Sequence, residues 1–481
     1  MVILNQGAEP HSRGRALPLL VALILSFFNF VNAIDILWTQ RYNFAFDKWA
    51  WGDVDILTGD LIVVGESDVD SNPVFVLIRY NRDGDTVWTR VFDSPYLDWL
   101  HGCAVDRAGN VIIAGSMTSG GGVVKYDRNG NLCWYRRVYP RQTNYFSGVT
   151  SDESLNIYVA GGRGSNAQLM KLSPGGESLW LREYDFGYPL EDIVSLYYST
   201  NGYIAGAGDV AVEGGQFDCL SIQWNETGDV SWVRILHIKP QDEARDITAD
   251  SEGNLYITGD AWDETQQGIV QPDSFVTARY QPDGTLDWVR VDGLSHYSWG
   301  EAIGFDPSGQ LLVAGGCYDS ILNESSGAIL CYSLDGTLLW HWTYRQENQN
   351  CRFTDIVIAE PGVCYVIGEV ANADYDSSDF LVLKLRYPVG MAEGRPAEVP
   401  AGDISPATLV CAGATLRFSV GCAGDYRLVV RDVSGQERLV YAGYLARGEN
   451  RISLPSLPAG VYFLDLAGAG VQRRHRLVVV R

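Results

Sequence analysis

A nine-residue phrase that ends in tryptophan recurs six times along this chain, and it limits the possible folds more than any other feature. One copy is Tyr80–Trp88, YNRDGDTVW, and in every copy a glycine stands four residues before the tryptophan. These glycines are Gly84, Gly130, Gly176, Gly228, Gly284 and Gly336. A tight turn with a positive φ selects glycine, and a tryptophan in the next strand supplies a large apolar anchor. Each copy predicts a β-hairpin, and six copies at one internal spacing predict a repeat protein.

A second predicted hairpin lies between these copies and ends in an apolar run closed by glycine, such as NVIIAG at Gly115. The closing glycines are Gly65, Gly115, Gly161, Gly206, Gly259, Gly315 and Gly368. Each repeat then contains four short strands, a to d, which is the content of one β-propeller blade. No stretch after residue 33 shows sustained helical periodicity.

The seventh repeat lacks its own tryptophan strand, and this predicts how the ring closes. Its strand c, residues 379–387, runs into Pro388 without a turn glycine, whereas residues 36–42, ILWTQRY, resemble the missing strand d. We therefore predict an all-β fold, a seven-bladed β-propeller of four-stranded blades over residues 34–388. Strand 36–42 would pair with 379–387 and close the ring, which removes the unpaired edges of an open array.

Both ends of the chain carry signals of their own. Residues 1–33 combine two arginines, a short apolar run and a small-residue site at Ala33, and they predict a signal peptide cleaved there. A membrane anchor is the alternative, but the run is shorter than the roughly 20 residues of a spanning helix. We expect no stable transmembrane segment after cleavage. Residues 389–405 have a linker composition, and 406–481 alternate like a small antiparallel sandwich.

The tail resembles a known family. Its segments are RLVVRDVSGQ (427–436), PAGVYFLDL (458–466) and RRHRLVVVR (473–481), and their order is that of the C-terminal sorting domain of type IX secretion substrates. The resemblance implies export through outer-membrane secretion machinery and a secreted or outer cell-surface location. Family members usually place lysine in the last segment, where this chain has only arginine. An ordinary immunoglobulin-like module is the alternative interpretation.

The repeats resemble the short β-propeller repeats of secreted bacterial proteins, in which KYDxxGxxLW follows VxVDxxGNVYVAG. The copy KYDRNGNLCW at 125–134 carries this likeness. Quinoprotein dehydrogenases share a similar tryptophan phrase, but they have eight blades and adjacent cysteines. This chain has seven repeats and no adjacent cysteines.

Charge and cysteine content limit the partners. The formal charge is −23, with the acidic excess in the repeat region, so the ring surface repels nucleic acid and suits cations or basic partners. Simple solubility explains the same charge. The nine cysteines show no CxxC pair. Cys411 and Cys422 are placed for a disulfide in an exported protein, with two unrelated buried thiols as the alternative.

We expect the ligand on the face where the d–a and b–c connections open into the central funnel. The candidate ligand-binding residues are Trp49, Trp51, Trp99, His101, His237, His296 and Trp299. Aromatic rings beside carboxylates can hold a glycan, a peptide or a protein, or they can cap the core of a blade. The three histidines occupy comparable d–a positions, so they could meet a carboxylate near the funnel for acid–base work.

Two acidic loops suggest a calcium site, although solvated loops on an acidic protein explain the same residues. Their candidate ligands are Asp68, Asp70, Asp374 and Asp376. Alternating carboxylates supply the oxygen atoms that hard cations prefer. We expect no other cofactor.

The chain contains no GxSxG elbow, HExxH, P-loop or Rossmann fingerprint. The sequence therefore favours a secreted or cell-surface, non-enzymatic propeller that binds an extracellular glycan, peptide or protein. An extracellular polysaccharide-acting enzyme with its site in the funnel is one alternative. A structural surface or adhesion component is the other.

Overall fold

The computed structural model divides the chain into two units, residues 1–391 and 392–481. It describes residues 34–389 except 44–45, 70–71, 94–96, 118–119, 139–144, 213–215, 263–273, 296, 320–322 and 373–376, and seven strands between residues 410 and 480. The predicted signal peptide and nearly all of the predicted linker lie outside the described residues. The described part of the chain contains no helix with the length and apolar character that a membrane crossing requires.

The first unit contains seven four-stranded antiparallel sheets, which confirms the seven-bladed β-propeller. Its first strand, β1, is Asp35–Tyr42. Blade 1 follows with Phe46–Asp55, Asp60–Val69, Asn72–Tyr80 and Thr86–Phe92 (β2–β5). Blade 2 has Leu97–Val105, Val111–Met117, Gly120–Tyr126 and Leu132–Val138 (β6–β9). Blade 3 has Gly148–Ser151, Ile157–Arg163, Asn166–Leu172 and Ser178–Tyr184 (β10–β13).

The remaining blades repeat this order. Blade 4 has Glu191–Ser199, Tyr203–Val212, Gln216–Asn225 and Val230–Leu236 (β14–β17). Blade 5 has Gln241–Ala249, Leu255–Trp262, Ser274–Tyr280 and Leu286–Asp292 (β18–β21). Blade 6 has Tyr297–Asp306, Gln310–Asp319, Glu324–Ser333 and Leu338–Tyr344 (β22–β25). Blade 7 has Gln349–Glu360, Val363–Asn372 and Ser378–Arg386 (β26–β28), and β1 is its fourth strand.

The ring closes where the sequence predicts. Strand β1 pairs antiparallel with β28, from Asp35 opposite Arg386 to Tyr42 opposite Phe380. An ion pair between Arg41 and Asp379, at 2.6 Å, stabilises the end of this pairing at the mouth of the ring. The mouth is the face that carries the d–a and b–c connections. The first strand of the ring therefore completes the last blade, and no blade edge is left open at the junction.

In the described part of the ring, seven hydrophobic clusters each lie between two neighbouring blades. The middle strands b and c supply most of the fully buried side chains, because both of their faces contact another blade. A strand that is buried on both faces needs apolar side chains on both, so its sequence is a continuous apolar run rather than an alternating pattern.

The repeated glycine and tryptophan join one blade to the next. Trp232 of blade 4 donates its indole N–H to the carbonyl of Pro282 in the c–d turn of blade 5, at 3.1 Å. Gly284 of that turn has φ +79, and a Cβ there would lie 2.7 Å from the Trp232 ring. Arg234 stacks 5.6 Å from the same ring and donates to the Gly284 carbonyl at 2.7 Å. We call this arrangement the tryptophan clasp.

Other blades form the same indole hydrogen bond to the next turn. The donors and acceptors are Trp38 to Arg82, Trp88 to Arg128, Trp134 to Pro174 and Trp288 to Leu334. Blade 7 has no c–d turn because its fourth strand is β1, so the Trp340 ring packs against Tyr387 at 5.9 Å. The repeated phrase therefore serves ring assembly as well as the hairpin that the sequence predicts.

The structure corrects one glycine of the predicted repeat. In blade 4 the residue opposite the irregularity of strand a is Gly208, where a Cβ would lie 2.0 Å from the Asp192 carbonyl oxygen. Gly259 has the same relation to Glu243 in blade 5, at 1.9 Å. The predicted Gly206 instead packs against a tryptophan ring. A carbonyl oxygen of strand a comes so close to this position that only glycine fits there. The sequence AGAG at 205–208 contains two glycines, and the repeat spacing alone does not show which of them occupies the position.

The second unit contains the strands Val410–Cys411, Thr415–Val420, Gly424–Asp432, Glu437–Leu445, Gly448–Ser453, Gly460–Gly468 and Val471–Val480 (β29–β35). One sheet has the order β29-β35-β34-β31-β32, and β30 pairs with β33. The immunoglobulin-like sandwich and the sorting role stay predictions. Cys422 lies outside the described residues, so the disulfide with Cys411 also stays a prediction.

Candidate functional site

A cavity of about 470 Å³ runs along the centre of the ring and is lined by strand a of all seven blades. Because each strand a runs from the loop-rich mouth toward the a–b turns, its early residues lie nearer the mouth. Arg245 and Glu301 stand near the middle of their strands, whereas Tyr197, Phe305 and Ile358 stand near the ends of theirs. The charged pair therefore lies nearer the mouth than these three large side chains, and Asp53, late in β2, adds a carboxyl group near the turns.

Three aspartates line this cavity, and the side chain of each accepts a backbone hydrogen bond from the next blade. Oδ2 of Asp53 accepts the backbone N–H of Val105 at 2.6 Å. Oδ2 of Asp246 accepts the N–H of Ile303 at 2.8 Å. Oδ2 of Asp355 accepts the N–H of Gly52 at 2.8 Å, across the junction where the ring closes. We call Asp53, Asp246 and Asp355 the channel aspartates.

The channel aspartates are poorly solvated, and this changes their acidity. Burial raises the pKa of Asp53 and of Asp246 to about 6. Burial raises the pKa of Asp355 to about 7, and the negative charges of Asp246 and Asp53 contribute to that increase. Near neutral pH, Asp355 is therefore partly protonated, and Asp53 and Asp246 become protonated at slightly lower pH.

Arg245 occupies the charged part of the cavity on the mouth side. It forms an ion pair with Glu243, and its Nε lies 3.4 Å from Oδ1 of Asp260. Burial raises the pKa of Asp260 to about 7. Burial also raises the pKa of Glu301, and the positive charge of Arg245 partly offsets that effect. The group offers both donors and acceptors to a polar ligand.

An imidazole and a phenol lie side by side on the other wall of the mouth. The ring of His101 is 5.9 Å from the ring of Tyr145, whose hydroxyl donates to Oδ2 of Asp192 at 2.8 Å. Burial lowers the pKa of His101, so this imidazole is neutral at neutral pH. Burial raises the pKa of Tyr145 above its usual range and that of Asp192 to about 6.

The structure brings together only part of the predicted ligand-binding set. Trp51 and His101 line the central cavity. Trp99 stands two residues before His101 on β6, with 57% of its surface exposed. Trp299 lines a separate cavity of about 300 Å³ beside Arg352. The side chain of Trp49 and the whole of His296 lie outside the described residues.

The predicted equivalence of the histidines is wrong for the two that the structure describes. His101 lies inside β6, whereas His237 follows β17 and its Nδ1 is 2.7 Å from Oδ1 of Asp218. Strand β6 extends through residues that the sequence assigned to a loop, because its length is set by pairing with β7. The two imidazoles therefore have different surroundings.

The calcium prediction is untested. The backbone of Asp68 pairs with Phe46 and Pro73, but its side chain lies outside the described residues, as do Asp70, Asp374 and Asp376. Another group has ligand atoms within 4.8 Å of one another: Asp218, His237 and Asp242. The sequence named only the histidine of this group, because its three members come from separate elements.

Comparisons with known proteins agree with the propeller. The beta-propeller repeat family (SBBP) matches residues 232–264, and the beta-propeller domain of unknown function DUF5122 matches residues 58–86. No curated protein matches the chain. Together with the seven sheets, the two family matches define the class: this chain is a β-propeller repeat protein.

Solved structures of similar shape share little sequence with the chain. A protein of unknown function from Dyadobacter fermentans has 10% identity and a TM-score of 0.47, covering 74% of this chain and 99% of that chain. A PL25 ulvan lyase with bound saccharide has 11% identity and a TM-score of 0.48, covering 73% and 96%. A gluconolactonase from Xanthomonas campestris has 13% identity and a TM-score of 0.37, covering 66% and 90%. These values assign no function.

Proposed function

We propose that this protein is a secreted or cell-surface binding propeller, and that the mouth of its funnel binds an extracellular glycan without chemical change. The observation that carries the proposal is the arrangement around the central cavity. An exposed indole, Trp99, stands beside a cavity edged by His101, Arg245 and Glu301. Sugar rings stack on aromatic faces while their hydroxyl groups exchange hydrogen bonds with such polar groups.

The volume and charge of the cavity limit the glycan. About 470 Å³ lies within the range of sites for small ligands, about 300–1,000 Å³. The lining contains Asp53, Asp246, Glu301 and Asp355 against one arginine, Arg245. A polyanionic glycan would be repelled by this excess of carboxylates, so a neutral or amine-bearing saccharide fits best.

Export is the other half of the proposal, and it rests on the sequence. The predicted signal peptide, residues 1–33, and the resemblance of 406–481 to a type IX sorting domain support a route across both membranes. A culture that expresses the full chain is expected to release it or display it. Deletion of residues 406–481 should then retain the protein inside the outer membrane.

Glycan binding is tested with an array of neutral, amino and acidic saccharides and by the thermal shift of the purified protein. We expect a saturable signal for one neutral or amine-bearing class. Trp99→Ala should remove it, while Tyr135→Ala, which truncates an exposed aromatic residue on the outer strand β9, should keep it. Binding only to acidic glycans, or equal loss in both variants, would contradict the proposal.

A polysaccharide-acting enzyme is the second candidate, and one observation favours it. A neutral imidazole can accept a proton, and His101 lies beside the phenol that donates to Asp192. The discriminating measurement is the release of new reducing ends or unsaturated products from the bound polysaccharide. Sustained release that His101→Gln abolishes would establish the enzyme in place of the binding protein.

A further inference from the structure

Three potential metal ligands converge on the loop-rich side between blades 4 and 5. They are Asp218 on β16, His237 just after β17, and Asp242 on β18. Nδ1 of His237 lies 2.7 Å from Oδ1 of Asp218 and 3.7 Å from Oδ2 of Asp242. Ligand atoms bound to one zinc ion at its usual bond lengths are roughly 3 to 3.5 Å apart. All three ligand atoms lie within 4.8 Å of one another, so shifts of about 1 Å would bring them to zinc-binding distances.

The loop around Asp242 does not require a carboxylate at that position. Asp242 accepts the backbone N–H groups of Ile238 and Lys239, at 2.6 Å and 3.0 Å, and so holds the d–a loop. Glu191 makes the equivalent cap in blade 4, and in blade 6 the neutral hydroxyl of Ser298 accepts two such N–H groups. The d–a loop therefore needs a hydrogen-bond acceptor at position 242, but it does not explain why a second carboxylate lies beside Asp242.

Asp218 is that second carboxylate. It is 7% exposed, and in the described part of the chain its only side-chain hydrogen bond is the one with His237. Asp242 is fully buried, so two carboxylates are withdrawn from water close together. Buried carboxylates are costly unless a cation or several donors compensate them.

We propose that Asp218, His237 and Asp242 form a site for a zinc ion. One imidazole nitrogen and two carboxylate oxygens are a donor set that Zn²⁺ accepts in tetrahedral geometry. Calcium is excluded as the preferred ion because it takes six to eight oxygen ligands. The side chain of His237 is 61% exposed, so the outer side of the ion stays open to water or to a donor atom of a ligand.

The site is independent of the proposed glycan binding, although both are on the loop-rich face. β16 begins, β17 ends and β18 begins on this face, since b–c and d–a connections share it. A zinc ion here would also link strand c and the d–a loop of blade 4 to strand a of blade 5. It would therefore stabilise one blade junction whether or not a glycan binds.

The test uses the full chain after treatment with a chelator, with zinc added alone and binding measured by calorimetry. Cobalt(II) replaces zinc in a parallel titration, because its visible absorption reports tetrahedral coordination. We expect one ion per chain, a higher thermal unfolding midpoint, and at least a tenfold loss of affinity in His237→Gln and in Asp218→Asn. His341→Gln, which removes an exposed histidine of β25, should bind like the unmodified protein.

The variants are first compared without metal, where unchanged circular dichroism shows that they fold. If His237→Gln unfolds, Asp218→Asn, which keeps an oxygen at the same position, provides the same comparison. The absence of saturable zinc binding would overturn the proposal. Binding retained by folded His237→Gln and Asp218→Asn would also overturn it, because the ion would then lie elsewhere.

Discussion

Asp355 gives the sharpest prediction because it lies at the junction where the ring closes. Its Oδ2 accepts the N–H of Gly52 in blade 1 at 2.8 Å, and its Oδ1 accepts the N–H of Ile356 at 2.7 Å. Burial and the charges of Asp246 and Asp53 raise its pKa from 3.8 to about 7. The folded protein therefore holds a proton that the unfolded chain releases near pH 4.

The sign of the effect follows from proton linkage. A carboxyl group with a higher pKa in the folded state binds more protons there, so its contribution is most favourable below pH 3.8 and is lost as pH rises to about 7. With these two pKa values, the contribution of Asp355 to the free energy of unfolding falls by about 2 to 3 kcal/mol between pH 5 and pH 8. Asp355→Asn removes this titration.

The assay is urea unfolding followed by tryptophan fluorescence from pH 5 to pH 8. Asn keeps one acceptor oxygen but loses the other, so we expect the variant to be about 1 kcal/mol less stable than the unmodified protein at pH 5. At pH 8 the variant should match or exceed the unmodified protein. The pH dependence of stability that remains in the variant comes from other carboxyl groups with raised pKa values, including Asp53 and Asp246.

Asp283→Asn is the matched control. The backbone N–H of Thr285 lowers the pKa of this exposed turn carboxylate, so its titration lies below pH 3.8 and the slope from pH 5 to pH 8 should not change. Parallel pH profiles for the unmodified protein and Asp355→Asn would contradict a raised pKa for this carboxyl group. They would show that the Asp355 carboxyl group has an ordinary pKa.

Two further predictions concern ring assembly, and both are measured as the free energy of unfolding in thermal and urea unfolding. Gly284→Ala should lose more stability than Gly309→Ala, because both glycines have positive φ but only the first would place a Cβ against Trp232. The backbone cost of about 1 to 2 kcal/mol is common to both variants, so equal losses would contradict the role of Gly284 in the tryptophan clasp. Trp38→Ala should lose about 3 kcal/mol, because it removes the tryptophan clasp at the closing junction, whereas Trp99→Ala should lose under about 0.5 kcal/mol. Similar losses in these two variants would contradict closure of the ring by β1.

The architecture was predictable because its signals are local and repeated. A glycine with positive φ four residues before a tryptophan fixes one hairpin, and its recurrence counts the blades. The missing seventh tryptophan strand and residues 36–42 predicted the closure that β1 forms with β28. The ambiguity between Gly206 and Gly208 arose because a close backbone contact, rather than periodicity, selects the glycine.

The chemistry of the funnel was less predictable because its residues come from distant strands. Asp53, Asp246 and Asp355 meet only when seven blades surround one axis, and irregularities in strand a decide which side chains face it. Aromatic content identified Trp51 and His101, but it did not separate them from Trp299, which lines another cavity. An acidic residue inside an otherwise apolar strand, as in FTDI at 353–356, is the signal that could have located the channel.

Hydrogen–deuterium exchange with and without the saccharide identified on the array locates the bound ligand on the ring. Binding in the funnel predicts slower exchange at the mouth, in residues 97–101, 243–246 and 299–302, with c–d turns such as 128–131 unchanged. Slower exchange confined to those turns, or no change at the mouth under saturating saccharide, would contradict binding in the funnel.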